Sequence, residues 1–366
     1  MMVIDSHLDL AWNALNWNRD LTLPVAEIRR RESGMTEAHR GQNTVSLPEL
    51  RKAEVAIMLA TLLARVSGQQ EDKLDYSSRE IASAMAQGQL AYYRILLRQG
   101  HLRMLRDRAS LEAHLAEWKE SEDGCPLGLI LSMEGADPIL SPRDVADWWE
   151  NGLRVVGLSH FGPSAYAFGT GGTGRLTAAG VELLREMESV GMILDVTHLS
   201  DESFWQAIER FKGNVLASHH NCRALVPGFR QLTDEQIHYL LDREAVIGVA
   251  FDSWMLYPGY VPPELASADQ PQMLNSLVTL DRVIEQIDHL CQLAGNARHV
   301  AIGSDLDGGF GREQSPHDLD TIADLQRIPG MLRQRGYTEA DVEAIMHGNW
   351  LRYFRRALPQ DSPRRN

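Results

Sequence analysis

Two observations predict an α/β fold of the (β/α)8 TIM-barrel type. Short β-branched or apolar runs alternate with longer segments of helical period, the pattern of parallel strands joined by crossover helices. Eight such runs fit within 366 residues. The composition agrees, with 44% apolar and 23% charged residues, 29 Gly and 15 Pro, a globular balance that can bury a large core. A single domain over residues 1–366 is expected.

The eight strand candidates are residues 2–4, 55–63, 127–133, 155–159, 192–196, 214–218, 246–251 and 299–304. The second, Val-Ala-Ile-Met-Leu-Ala-Thr-Leu-Leu, is apolar at nearly every position, as a strand covered on both faces requires. Helices are expected over 77–98, 177–190, 201–211, 233–241 and 280–293, several opened by a capping residue such as Thr177 or Thr233. Thr338-Glu339-Ala340-Asp341 opens a last helix around 338–356, with apolar residues at helical spacing through Ile345 toward Phe354. The segment around 16–44, rich in Arg and Glu, reads as a loop excursion over one face.

Lys plus Arg total 36 against 50 Asp plus Glu, so a net charge of -14 repels polyanions and argues against nucleic acid as a partner. The three cysteines, Cys125, Cys222 and Cys291, have no CxxC spacing, which gives neither a disulfide framework nor a thiolate zinc site. No membrane span or signal peptide is visible, and a cytoplasmic location is expected.

Chemistry gathers where the strands end, the face on which this architecture builds its sites. The first run leads into Asp5-Ser6-His7-Leu8-Asp9, where His7 and Asp9 point to one side in extended backbone. The others end at Glu134, at His160, at His198 in Asp195-Val196-Thr197-His198, at His219 in Ser218-His219-His220, and at Asp305 in Ser304-Asp305-Leu306-Asp307-Gly308. Each residue alone is more often solvated or a satisfied core group; six strands of eight ending in His, Asp or Glu is a different matter. Imidazoles mixed with carboxylates suit zinc or a similar borderline ion better than magnesium or calcium. Four or five ligands exceed what one catalytic zinc takes from protein, which favours two ions, with Glu134 able to bridge them.

With these motifs in place, joined by Gly228-Phe229-Arg230-Gln231-Leu232 and Gly348-Asn349-Trp350-Leu351-Arg352-Tyr353-Phe354, the chain resembles the membrane (renal) dipeptidase family, the M19 metallopeptidases, nearly end to end. The resemblance implies a barrel of the metal-dependent hydrolase type and two Zn2+ per chain. His7 and Asp9 would hold one ion, His198 and His219 the other, and Glu134 would bridge. It further implies substrate roles for His160 and Arg230 and an acid–base role for Asp305.

The reaction so implied is hydrolysis of a dipeptide amide bond by a metal-bridging hydroxide, with Glu134, His160 and Asp305 as the catalytic residues and a free substrate carboxylate on Arg230. The alternative is another amide or ester, such as an N-acyl amino acid or lactone, on the same metals. Members often pair as dimers, so the resemblance allows a homodimer. The chain departs from the family at Leu8, where Asn is frequent, at residues 56–61, where a Gln-Phe-Trp type segment is common, and at Asp252, where an aromatic residue is common.

Gly169-Thr170-Gly171-Gly172-Thr173-Gly174 formally satisfies the dinucleotide GxGxxG pattern, with Asp195 about 20 residues on. The segment before it contains Gly162 and Pro163 and is no clear strand, so a loop beside His160 is the expectation. His39, His101, His114, His289 and His317 lie away from the strand ends and are read as solvated.

Overall fold

The computed structural model describes residues 1–68, 73–121, 124–260 and 277–361. Among them are nine strands: β1 (Val3–Leu8), β2 (Val55–Leu63), β3 (Leu102–Met104), β4 (Leu127–Glu134), β5 (Leu153–Gly157), β6 (Ile193–Asp195), β7 (Val215–Leu216), β8 (Ile247–Val249) and β9 (Val300–Ile302). They follow one another in the order β7-β6-β5-β4-β2-β1-β9-β8, with β3 attached to β4 off that path. The registered pairs are parallel throughout. This is the nearly closed parallel barrel with intervening helices that the alternating pattern predicts. Among the described residues no helix is long and apolar enough to cross a membrane.

The chain divides into two compact units. The first joins Met1–Met58 to His219–Leu351 and holds β1, the start of β2, β8 and β9. Here β9 lies between β1 and β8, with Asp5 opposite Ile302 and Gly248 opposite Ala301. The His220 N–H donates to Gly248 O of β8 at 2.8 Å. Asn349 donates to Ala297 O and Val300 O, and the Trp350 indole to Ile302 O, so the last helical run is fastened to the β9 segment.

The second unit joins Leu59–Ser218 to Arg352–Asn366 and holds the rest of β2 with β3 to β7. All nine residues of β2 and all eight of β4 are buried, as parallel strands covered on both faces should be. Crossover helices start where expected. Thr177 caps Ala178–Val190 by accepting from Gly180 N, and Gly191 ends that helix in the left-handed conformation. Ser78 caps Arg79–Arg98 in the same way.

The sequence reading and the structure differ in instructive places. β1 extends through Leu8 rather than stopping at residue 4, which puts His7 on the strand itself. β3 has three residues and one fully buried side chain, too short for a period to register. The 16–44 excursion contains a helix, Val25–Glu32, and is tightly held. Arg19 donates through Nε and Nη2 to Glu32, Arg40 and Gly41 N add further bonds to it, and Arg29 reaches Asp320 at 2.7 Å. Arg19, Arg40 and Glu32 are anchors, while Arg30 and Arg31 remain exposed. The final helix is Glu339–Glu343, a π-helical turn Ala344–Gly348, and Asn349–Ala357, the π turn shifting register just before Asn349 and Trp350.

Candidate metal centre

In the first unit, β1 delivers His7 from its penultimate position and Asp9 one residue past its end. Asp5, two residues earlier, accepts the N–H of His7 at 3.2 Å and that of Ser304 at 2.9 Å. One carboxylate therefore ties the His7 backbone to the residue preceding Asp305. Burial pushes the Asp5 pKa up, partly offset by these bonds from Ser304 and His7. His7 Nε2 lies 3.7 Å from Asp9 Oδ2 and 3.7 Å from Asp305 Oδ1. These three ligand atoms all fall within 4.8 Å of one another, a spacing that can surround one ion. The His219 ring is buried against that of His7, with centroids 3.7 Å apart.

Asp305 holds a left-handed backbone, φ 59°, unusual for a residue with a side chain. Its carboxylate folds over Gly308, where an added Cβ would come within 1.9 Å of Asp305 Oδ1. Only glycine leaves room there. Asp307, also at positive φ, accepts from Thr44 N, Thr44 Oγ1 and Val45 N, while Asn13 Nδ2 donates to the backbone oxygens of both Asp9 and Asp307. The excursion thus ends on the loop that carries Asp305.

Arg230 is buried and donates through Nη2 to His219 O at 3.1 Å. His220, next to the ligand candidate, is fully buried; burial pushes its pKa well below the ordinary histidine value, with the Arg230 guanidinium adding to the effect. Of the two adjacent histidines, His219 faces His7 and His220 belongs to the packing around Arg230.

The second unit holds a separate set. Glu134 is the last residue of β4, and its Oε1 lies 3.1 Å from His198 Nε2 and 3.8 Å from His160 Nε2. Ligand atoms of these three residues also fall within 4.8 Å of one another. His198 sits at φ 68°, a second left-handed residue in a candidate site. Thr170 Oγ1 lies 2.9 Å from His198 Nδ1 and also bonds His198 O. With the hydroxyl hydrogen on the carbonyl, Oγ1 accepts from Nδ1–H, which leaves the Nε2 lone pair facing Glu134. That is the tautomer a metal ligand needs. His160 Nδ1 instead faces the Arg65 guanidinium at 2.8 Å.

His7, Asp9 and Asp305 therefore form a cluster in the first unit and Glu134, His160 and His198 one in the second, while His219 stands against the His7 ring and Arg230 on the His219 carbonyl. Two finer points of placement stand out. Asp305 and His160, expected to act on substrate, each stand within ligand distance of a metal-competent set. His160, His198, His219 and Asp305 also lie not on the strands but three residues past the ends of β5, β6, β7 and β9.

Sequence reasoning missed Thr170, Arg65 and the two tethering aspartates. Asp195 repeats the role of Asp5, accepting from Thr197 N at 3.0 Å and Ser218 N at 3.1 Å beside His198 and His219. An Asp embedded at the end of an apolar run was the available signal. The glycines around Thr170 serve close packing: a Cβ on Gly169 would sit 1.8 Å from His160 O, so this is the loop beside His160 and not a phosphate loop. Of the remaining histidines, His114 is buried rather than solvated, beside Cys125, and His39 pairs with Glu313 at 2.6 Å.

Comparison with known proteins bears on these clusters. A solved structure described as the dipeptidase AC, a metallopeptidase of family M19, superposes with a TM-score of 0.75 over 98% of this chain and 99% of that one, at 23% identity. A metallopeptidase from Rhodobacter sphaeroides, solved with a phosphinate mimic of the dipeptide L-Ala-D-Ala, gives 0.74 over 98% and 99%, at 22% identity. These likenesses establish the fold. In sequence, a protein from the pqqA 5′ region of Klebsiella pneumoniae is 30% identical over 245 residues, 64% of this chain and 83% of its own length. Dipeptidase tcpJ of Claviceps purpurea is 27% identical over 211 residues, 56% of this chain but 44% of that protein. A family model described as membrane dipeptidase, peptidase family M19, matches residues 1–363. The chain belongs to the membrane dipeptidase family, peptidase family M19, a family of metallopeptidases.

Proposed function

We propose that the protein hydrolyses the amide bond of dipeptides with two zinc ions. His7 and Asp9 would hold one ion, His198 and His219 the other, and Glu134 would serve both; this assignment of ligands to ions follows the family resemblance. The observation that carries this reading is the donor chemistry at the strand ends. Imidazoles and carboxylates, buried except for the half-buried His160, stand within 4.8 Å of one another in each unit, and Thr170 presents the metal-binding nitrogen of His198. Such a mixed nitrogen and oxygen set suits zinc.

When bound, the ions supply a nucleophilic hydroxide at neutral pH and a Lewis acid for the scissile carbonyl. The protein's side chains do the rest. His160 donates from Nε2 to the carbonyl oxygen as it gains charge. Asp305, held over Gly308 and beside His7, accepts the proton of the attacking water and returns it to the leaving nitrogen. Arg230, buried and fixed on His219 O, binds the substrate's terminal carboxylate. A longer peptide places an amide opposite that cation, which limits the substrate to dipeptides.

The deciding experiment measures metal content and cleavage together. Protein loaded with zinc should hold two equivalents per chain and cleave at least one of a panel of L,L- and L,D-dipeptides, losing both properties on chelation. Cleavage of N-acyl amino acids or lactones in place of dipeptides would overturn the substrate. One equivalent, or activity that survives chelation, would overturn the centre.

A further inference from the structure

We infer that Arg65 is a positioning residue that sets the tautomer of His160, making it a hydrogen-bond donor at Nε2 rather than a metal ligand. This rests on the reading of His160 as the group that receives the substrate carbonyl.

A guanidinium carries five donors and no acceptor, and it stays protonated throughout the working range of a protein. Arg65 Nη1 lies 2.8 Å from His160 Nδ1. That nitrogen must be the acceptor, so the ring hydrogen resides on Nε2, the atom turned toward Glu134. His198 has the opposite arrangement. Its Nδ1 meets a hydroxyl that can accept, which frees Nε2 as a lone pair. Two histidines beside one carboxylate are thus given opposite tasks by what lies behind them.

Arg65 is built to stay in place. It is buried, its Nε donates to Asp75 Oδ2 at 2.9 Å, and Asp75 in turn accepts from Ser67 N and Ser67 Oγ. The Phe161 ring lies 5.6 Å from the guanidinium carbon and packs edge-on to His160. Val66 N, next along the chain, donates to Asp137 Oδ2, and Asp137 also receives Ala165 N. The cation is held by one carboxylate and its strand end by another. This is the outer arrangement that fixes a ring's orientation, and removing such a partner commonly costs about 10–100-fold in activity.

The test compares the full-length wild type with Arg65→Met, Asp75→Asn, His160→Asn and the Arg65→Met/His160→Asn double variant. Long-range proton–nitrogen correlation of the histidine side chains in metal-free protein, with the His160 ring assigned by its loss in His160→Asn, should show hydrogen on Nε2 and a bare Nδ1 in wild type. That signature should vanish in Arg65→Met and weaken in Asp75→Asn. With L-Ala-L-Ala and L-Ala-D-Ala as substrates and zinc loaded, Arg65→Met should lose about 10–100-fold in kcat with KM changed less than about 3-fold and metal content held. The double variant should be no more than about 3-fold worse than His160→Asn.

A wild-type spectrum with hydrogen on Nδ1 overturns the proposal by itself, whether or not a variant folds. So does an Arg65→Met defect that adds fully to that of His160→Asn. If His160→Asn keeps wild-type kcat, the carbonyl role of His160 fails, while the spectrum still decides what Arg65 does.

Discussion

The hydroxyl of Thr170 should be worth one to two orders of magnitude in metal affinity, and Thr170→Val isolates it. Valine keeps the branched shape, and the backbone bond from Thr170 N to His160 O at 2.9 Å is untouched, so the loop should hold its course. What disappears is the 2.9 Å contact to His198 Nδ1, and with it the longer 3.4 Å bond to His198 O, between residues only 2% and 4% exposed. A buried polar group left without its partner costs about 1–3 kcal/mol. At 1.36 kcal/mol per factor of ten, that is roughly a 5- to 150-fold change. The cost falls on the metal-bound state, because only there must the ring stay fixed with its hydrogen on Nδ1; the metal-free ring can turn or exchange tautomers. Zinc dissociation constants measured by competition with a chromophoric chelator should therefore rise 5-fold or more in Thr170→Val, while metal-free thermal midpoints stay close to wild type. Equal affinities within about 2-fold, or a metal-free protein destabilised by the whole amount, would show that the hydroxyl only fills space.

Other substitutions probe other parts of the site. Glu134→Gln should lose bound zinc and activity together by elemental analysis and peptidase assay; unchanged zinc content removes the bridging role. Arg230→Met should cost about 100-fold or more in kcat/KM for a free dipeptide, since a charge-assisted contact to a carboxylate is lost. The C-terminally amidated dipeptide should barely change, and an unaltered ratio between the two would place carboxylate recognition elsewhere. Gly308→Ala should displace the Asp305 carboxylate, into which its Cβ would project, and lower kcat at least 10-fold with the fold intact by circular dichroism. Wild-type turnover in that variant would show that Asp305 need not lie where it does.

For Glu32, burial acts to raise the pKa, but bonds from Arg19, Gly41 and Arg40 outweigh it and hold the carboxyl below its ordinary value. A depressed folded-state pKa stabilises the protein above the unfolded value and is lost as the pH falls through the folded one. Glu32→Gln should lower the melting midpoint by about 2–4 °C at neutral pH, the gap closing in acid. A gap independent of pH would mean the charge contributes nothing.

The fold was legible where burial forces a continuous apolar run. β2 shows no polar interruption but Thr61, and its ends match the expected ones at both limits. β7, with two residues in the ladder, and β3, with three, are set by their neighbours and left a weaker trace. The 16–44 segment was opaque because its order comes from buried Arg–Glu pairs, and composition cannot tell such pairs from solvated charge.

At the candidate centre the chemical types were readable, because His, Asp and Glu at strand ends stand out against apolar runs. Their tasks were not, and the reason is physical. A histidine's job depends on which nitrogen carries hydrogen, and that is decided by the group behind the ring. For His198 that group is Thr170, 28 residues away in sequence; for His160 it is Arg65, 95 residues away. Thr170 lies in the glycine run whose formal nucleotide pattern points elsewhere, and Arg65 belongs to no motif, so neither announces its task in the chain. Substitutions at Thr170 and Arg65 should consequently alter metal affinity and turnover separately, although both histidines face one carboxylate. That separation would not arise if His160 and His198 were interchangeable ligands of one ion.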